Sequence, residues 1–341
     1  MLLTVTVAAL GGALFWLLQV PLPWMLGAMA ATGALAWRER ATVPAPLRPA
    51  ALIALGLGLG QTFTAPVMAA LALSFGWLLL AALLSILGGA LTSRLFARIA
   101  GTDAATGYYA SVPGGVVVMA ILAQRAGVSV PAVTLAQTIR VMIVVALVPP
   151  LITWLAPRGG AATAAFLAER PEVHLWGLLA LLPVGFLTGL LAERVGLANP
   201  WMLGPCCLMI ALSMAGILPS GVPLWMVDAA QVGLGMALGS RISRSFILSA
   251  RRLAVASAVT TVLLVAVMAV MAIGYALVSG LPIGAVLLGM SPGGMPEMTI
   301  TAKALELGVP LVLGFHLVRM LVCNLTVAPI WRLAVRLRLA T

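Results

Sequence analysis

The sequence predicts an all-α polytopic membrane protein made of two inverted repeats, each of five transmembrane helices plus one re-entrant hairpin. Three observations carry that prediction. The 341 residues are 63% hydrophobic and only 8% charged, against about 25% charge in soluble domains. A Pro-Gly-Gly tripeptide interrupts an apolar run twice, at Ser111-Val112-Pro113-Gly114-Gly115 and at Ser291-Pro292-Gly293-Gly294-Met295-Pro296-Glu297. The landmarks Gly60 and Gly239, Pro113 and Pro292, and Arg140 and Arg319 each lie 179 positions apart. One constant offset over three separated landmarks marks a duplication, with repeat A over 1–157, a linker over 158–172 and repeat B over 173–341.

Repeat A opens with an apolar run, Leu2 to Val20. It has no basic n-region and no small-residue cleavage site, so it reads as a helix and not a signal peptide. Pro21-Leu22-Pro23-Trp24-Met25-Leu26-Gly27 opens a second helix that ends at Trp37-Arg38-Glu39-Arg40. A third, Leu- and Gly-rich, runs from about Pro49 to Gln61, and a long fourth from about Ala65 to Ile99. The broken segment, Gly101 to Gln124, follows. Pro lacks the N–H and Gly the stabilising side chain that a helix interior needs. A last helix runs from about Val128 to Leu155.

Repeat B follows the same order. Its helices are expected at about Val173 to Leu191, from Pro200-Trp201-Met202-Leu203-Gly204 onward, at Pro223 to Gly239 and at Leu253 to Val278. A broken segment, Pro282 to Lys303, and a helix from Val309 to Leu333 complete it. The linker carries Arg158, Gly159, Gly160, Glu169 and Arg170.

Charge fixes the expected topology. The chain has 19 basic and 8 acidic residues, a formal +11, which in a membrane protein reads as cytoplasmic-loop charge. About 20 apolar residues cross a bilayer as a helix, and the pieces flanking each Pro-Gly-Gly are shorter. If both broken segments turn back, fourteen basic residues including Arg338 fall on the inner side. Arg158, Arg170 and Lys303 then fall outside, and Arg140 and Arg319 within the membrane. If both segments cross, the division falls to ten inside and seven outside, so the positive-inside rule favours re-entrant hairpins. Five crossings per repeat invert the second repeat, and the hairpins enter from opposite faces. Both termini are then cytoplasmic, and the membrane is the cell's inner (plasma) membrane.

The residues able to carry chemistry gather at the breaks. Arg140 and Arg319 lie about a dozen residues into their helices, roughly 15–18 Å deep, close to the middle of a ~30 Å core. A guanidinium there must face the bundle interior and find a partner. It either holds an anionic substrate or bonds backbone carbonyls freed by the helix break. Ser111, Pro113, Gly114, Gly115, Ser291, Pro292, Gly293 and Gly294 join the two arginines as the candidate substrate site, because successive free amides at a helix start form an anion nest. Glu297, whose counterpart is Val118, completes that set and is also a candidate proton or sodium carrier. His316, aligned with Gln137 and three residues before Arg319, is the second coupling candidate. Tyr108, Thr299 and Thr301 place hydroxyls near the breaks, and Lys303 and Glu306 look like a solvated hairpin end. Gln61 and Ser240 read as polar caps. Gly56, Gly58, Gly60, Gly233, Gly235 and Gly239 read as close helix contacts. Cys206, Cys207 and Cys323 form neither a disulfide framework nor a zinc site. No catalytic constellation and no cofactor are expected.

Pro-Trp-Met-Leu-Gly, Ser-Val-Pro-Gly-Gly and Ser-Pro-Gly-Gly-Met-Pro-Glu-Met, with the following Arg319, resemble the AbrB family of membrane proteins over essentially the whole chain. That family has an internal duplication. It carries the label of a regulator of aidB expression, and some members an ammonia-monooxygenase label. Neither label brings assigned residues, and the second conflicts with two distant histidines and few carboxylates. A soluble DNA-binding regulator of the same name looks nothing like this sequence.

The first expectation is a secondary carrier of a small organic anion coupled to protons or sodium. The alternative is a membrane-embedded regulatory or sensor protein that affects gene expression without net transport. An intramembrane enzyme ranks last. The partners expected are the anion, Na+ or H+, membrane lipids and, in a homo-oligomer, further copies of the chain; no nucleic acid is among them.

Overall fold

Proline and left-handed residues set the helix boundaries, and they recur at matching places in the two repeats. Leu22 (φ 54°) and Asn199 (φ 53°) are left-handed N-caps, each directly before the proline that starts a helix. Proline suits that first position because its missing N–H would have no intrahelical partner there. Gly101 and Gly280, both left-handed, end the corresponding long helices. The computed structural model describes residues 1–155, 161–167, 171–197 and 199–336. Arg158, Gly159, Gly160, Glu169, Arg170 and Arg338 lie outside the described residues, as do residues 158–160 and 168–170 of the expected linker as a whole.

All regular structure among the described residues is helical. In the first half the elements are α1 (Leu2–Leu17), α2 (Pro23–Trp37), α3 (Leu47–Gly60), α4 (Ala65–Leu73), α5 (Phe75–Ala100), α6 (Ala104–Ser111), α7 (Val116–Arg125) and α8 (Val130–Leu155). A single turn, α9 (Ala161–Ala164), precedes the second half. There follow α10 (Leu175–Arg194), α11 (Pro200–Met214), α12 (Leu224–Gly239), α13 (Arg244–Ser249), α14 (Arg251–Ser279), α15 (Ile283–Met290), α16 (Met295–Ala304) and α17 (Val309–Arg336).

Five of these, α5, α8, α10, α14 and α17, are long and apolar enough to cross a membrane, and the α3–α4 pair adds a sixth if that bent pair is one span. The chain is a multi-pass, all-helical membrane protein. The expected helix Ala65 to Ile99 is not continuous. The Ser74 N–H bonds back three residues, to the Leu71 carbonyl, which tightens the turn and separates α4 from α5. α4 is also bent 90° from α3. Its counterpart α13, which the sequence reading missed, is divided from α14 at Ala250 (φ −132°, ψ 45°).

The chain forms two compact units, and each draws elements from both halves of the sequence. Unit 1 comprises Met1–Ala70, Ala165–Ser249 and Lys303–Pro310. Its contacts are exchanged between repeats: α1 packs on α2 and α10 on α11, while α2 packs on α12 and α3 on α11. Glycines make these approaches possible. A side chain at Gly56 would strike the Met202 carbonyl, and one at Gly60 the Cys206 carbonyl. Reciprocally, Gly235 abuts Met25 and Gly239 abuts Met29. Gly12 under Trp24 is repeated as Gly189 under Trp201.

Unit 2 comprises Leu71–Ala164, Ala250–Ala302 and Leu311–Thr341. Here α14 packs on both α5 and α8, and the short helices α6, α7 and α15 pack against these longer ones. Asp103 caps α6, accepting from the Thr106 N–H at 2.7 Å and the Thr106 hydroxyl at 2.6 Å. The Tyr108 ring stacks near Trp331 and its hydroxyl donates to the Val327 carbonyl at 3.1 Å. That hydroxyl is therefore engaged on α17 and does not serve the break.

Candidate functional site

Both breaks lie in unit 2, and both have the same form. α6 ends at Ser111 and the chain turns extended at Val112 (φ −66°, ψ 130°). It passes Pro113 and Gly114 and restarts as α7 from Gly115, whose φ of 87° only glycine adopts readily. α15 ends at Met290, Ser291 is extended (φ −56°, ψ 143°), and α16 starts at Met295. A helix that stops this way leaves its last carbonyls without intrahelical donors. In an apolar surrounding those groups must be met by something.

Two arginines meet them. Arg140 and Arg319 stand at the same depth in α8 and α17, and are 4% and 5% exposed. Arg140 donates from Nη1 to the Ser111 and Val112 carbonyls at 3.4 and 3.2 Å. Its Nη2 donates to Gln137 Oε1 at 2.6 Å, and its Nε reaches the other break, donating to the Pro292 carbonyl at 3.0 Å. Arg319 donates to the Ser291 carbonyl at 2.6 Å and the Gly293 carbonyl at 3.1 Å. The planar fork of guanidinium donors suits this task, since one group serves several carbonyls at once.

Aligned side chains one turn earlier complete the clamp. Gln137 Nε2 donates to the carbonyls of Tyr109, Ala110 and Val112 at 3.1, 3.1 and 2.9 Å. His316 takes the equivalent position, with Nδ1 2.8 Å from Arg319 Nη2. Because guanidinium only donates, Nδ1 must accept, which places the ring proton on Nε2. Nε2 makes no hydrogen bond among the described residues.

The breaks are also packed crosswise. A side chain at Gly293 would lie 3.0 Å from Val144 Cγ1 of α8, and one at Gly114 3.5 Å from Cys323 Cβ of α17. Val144 and Cys323 are themselves 179 positions apart. Cys323 Sγ sits 3.8 Å from the Pro113 carbonyl.

The remaining expected residues fall as follows. Gly114 directs its N–H to the Val112 carbonyl at 3.0 Å, so that amide is already engaged and cannot join a nest. Glu297, 3% exposed, lies in the first turn of α16. Its carboxylate folds over Gly294, where any side chain would collide with it. A carboxylate in a first helical turn is favoured by the amides there. Thr299 and Thr301 donate within α16 to the Met295 and Glu297 carbonyls. Lys303, read from sequence as a solvated end, is instead half-buried in unit 1 and donates to the Gly58 carbonyl at 2.8 Å. Glu306 is exposed. Gln61 Oε1 accepts from the Val222 N–H at 3.1 Å and Ser240 donates to the Ala237 carbonyl at 3.1 Å.

A family model described as "Transition state regulatory protein AbrB" matches residues 24–335. The chain belongs to the AbrB family. Among curated relatives, "Uncharacterized protein YhjN" of Bacillus subtilis (strain 168) is 26% identical, with 96% of this chain and 91% of that protein aligned. "Putative regulator AbrB" of Escherichia coli (strain K12) is 24% identical, over 81% of this chain and 79% of that protein.

In this AbrB-family chain the sequence reading missed two parts of the site. Gln137 was seen only as the partner in register of His316, yet it makes more carbonyl contacts than either arginine has with its own break. The second omission is a set of buried hydroxyls beside the first break, Thr92 on α5 and Ser257, Thr260 and Thr261 on α14. The i, i+3, i+4 spacing on α14 was the available signal, since it puts three hydroxyls on one helical face.

Proposed function

We propose that the chain is a secondary carrier of a small organic anion, coupled to protons or sodium. In this reading it is built as two inverted repeats of five crossings and one re-entrant hairpin each, sits in the inner membrane, and keeps both termini cytoplasmic. One observation carries it: two buried guanidinium groups meet at two paired helix breaks. Broken helices at corresponding positions of two repeats are where carriers place their sites, and intramembrane charges mark substrate paths. α6–α7 and α15–α16 are the hairpins, each too short on either side of its break to cross alone. The helices α1, α2, α3, α11 and α12, 14 to 16 residues long, reach only about 21–24 Å at 1.5 Å per residue. They cross by local thinning of the bilayer. The anion site is drawn from Arg140, Arg319 and the groups of Ser111, Pro113, Gly115, Ser291, Pro292, Gly293 and Gly294, and Glu297 or His316 carries the coupling proton or ion.

A second reading has one observation in its favour. Three donors of Arg140 and two of Arg319 go to protein carbonyls, as in a structural clamp. A membrane-embedded regulatory protein without net transport fits that clamp, and the name of the Escherichia coli relative points the same way. Uptake of radiolabelled carboxylates into proteoliposomes under imposed proton and sodium gradients separates the two. The carrier reading expects gradient-driven uptake that disappears in the Arg140→Ala, Arg319→Ala double variant. Uptake surviving that double change removes the anion site, and no uptake across the panel removes the carrier.

A further inference from the structure

The two breaks differ in what surrounds them within unit 2. Beside the first lies a cleft of about 10 Å³ whose polar wall is Thr92, Ser111, Arg140, Ser257, Thr260 and Thr261. That is room for about one water-sized group. Ser111 is 6% exposed, and its Oγ has no hydrogen-bond partner among the described residues. A buried hydroxyl without a partner is unfavourable unless a ligand or water meets it. Beside the second break the cleft, about 20 Å³, is walled by apolar side chains such as Val148, Leu151, Val265 and Met268. The one hydroxyl there, Ser291 Oγ, donates to the Leu288 carbonyl at 2.7 Å, as Thr92, Ser257 and Thr260 of the first cleft donate to Gly89, Leu253 and Ala256, so the contrast between the breaks lies in Ser111 Oγ.

We infer that the charged end of the substrate docks at the first break alone, one oxygen entering the hydroxyl-lined cleft against Arg140 and Ser111, and that the substrate is a monocarboxylate. The inference rests on the carrier reading above. Arg140 donates four hydrogen bonds, to the Pro292, Ser111 and Val112 carbonyls and to Gln137 Oε1, which leaves one of its five N–H groups for a guest oxygen. Arg140 is also the single charged residue lining this cleft, and Arg319 lines neither cleft. A second carboxylate would have no cation to meet it here and would carry the full penalty of burial. The approach is basic. Arg94 and Arg98 end α5 while Arg251 and Arg252 begin α14, beside which α5 packs. Thr260 lies eight residues beyond Arg252, about 12 Å inward. A basic mouth over a polar cleft raises the local concentration of anions.

The test is equilibrium binding of radiolabelled acetate and succinate to the full-length protein in nanodiscs, with apo melting temperatures as the folding control. Acetate should bind at least tenfold more tightly than succinate. Ser111→Ala and Thr261→Val should each weaken acetate binding at least tenfold, while Leu151→Ala, at the apolar cleft, should bind as wild type. If Ser111→Ala fails to fold, Thr261→Val decides. Wild-type affinity in both hydroxyl variants, or succinate binding as well as acetate, overturns the inference and leaves the carrier intact. A protein that takes up and binds no anion at all overturns both.

Discussion

Arg140 donates its Nε–H to the Pro292 carbonyl at 3.0 Å, so an arginine of the first repeat holds the helix break of the second. Its Nη1 holds its own break, and the two interruptions are tied through one guanidinium. Arg140→Ala would take that donor from the Pro292 and Ser111 carbonyls and from Gln137 Oε1, while the Val112 carbonyl keeps Gln137 Nε2 and the Gly114 N–H. An unsatisfied buried group costs about 1–3 kcal/mol, and water will meet some of them, so a loss on the order of 3–5 kcal/mol is expected. Arg140→Lys should recover less than half of this, because an ammonium cannot reproduce the fork. Unfolding in mild detergent, followed by intrinsic fluorescence, measures both. An Arg140→Lys variant as stable as wild type would show that the fork is not what holds the breaks.

The glycine crossings of unit 1 give a prediction in two directions. Gly56→Ala and Gly235→Ala each push a methyl group into a facing backbone carbonyl. Overpacking of this kind costs about 1–3 kcal/mol. Gly274, inside α14, has nothing within 4 Å of an added Cβ. Gly274→Ala should be neutral or stabilising by up to about 1 kcal/mol. Melting temperatures of the three variants, measured side by side, check the contrast. Equal losses at all three would mean that the crossings are not close contacts.

These glycines show what the sequence made legible. Gly56 and Gly235, Arg140 and Arg319, and the two Pro-Gly-Gly breaks were all visible because a duplication puts each at a fixed offset from its twin. Helix ends marked by Pro23, Pro200, Gly101 and Gly280 were likewise readable, since proline and left-handed glycine act locally. The split at Ser74 was not, because no residue there forbids a helix and only a tightened turn separates α4 from α5. The engagement of Tyr108 with Val327 and of Lys303 with Gly58 was also hidden. Each joins residues more than 200 positions apart, and no local pattern encodes such a contact. The hydroxyl cleft was hidden for the same reason, its wall being assembled from α5, α6, α8 and α14.

His316 stands where the first repeat has Gln137, and its Nε2 lacks the three carbonyl contacts that Gln137 makes. If the histidine is only a clamp, His316→Gln should fold at least as well as wild type and leave the pH profile of uptake unchanged. If it carries the coupling proton, the variant should fold yet lose proton-driven uptake by at least tenfold. Glu297→Gln separates the other candidate in the same assay. Proton-driven uptake unaffected by either change would remove both residues from coupling.

The proposed topology places Gly101 and Glu306 on opposite faces of the membrane. Glu306 is exposed and so is Gly101, at the left-handed end of α5. Single cysteines at the two positions, in a background with Cys206, Cys207 and Cys323 replaced, can be probed with a membrane-impermeant maleimide on intact cells. The cysteine at 306 should label from outside and the one at 101 only after permeabilisation. Labelling of both from the same side would mean that one hairpin crosses, and the two hairpins would then not both be re-entrant.

Asp103 offers a test by pH. Burial alone would raise its carboxyl, but bonds from the Thr106 hydroxyl and N–H outweigh this and hold it below the usual value of 3.8. A carboxylate capping a helix contributes about 1 kcal/mol. Because the folded group titrates lower than the unfolded one, the contribution is present in full above the unfolded value and fades as pH falls through the folded one. Asp103→Ala should therefore melt below wild type at pH 7, and the gap should narrow at pH 3. Asp103→Asn, which keeps an acceptor for the Thr106 N–H, should lie between the two at pH 7. A gap that stays constant from pH 7 to pH 3 would show that the carboxylate charge plays no part in capping α6.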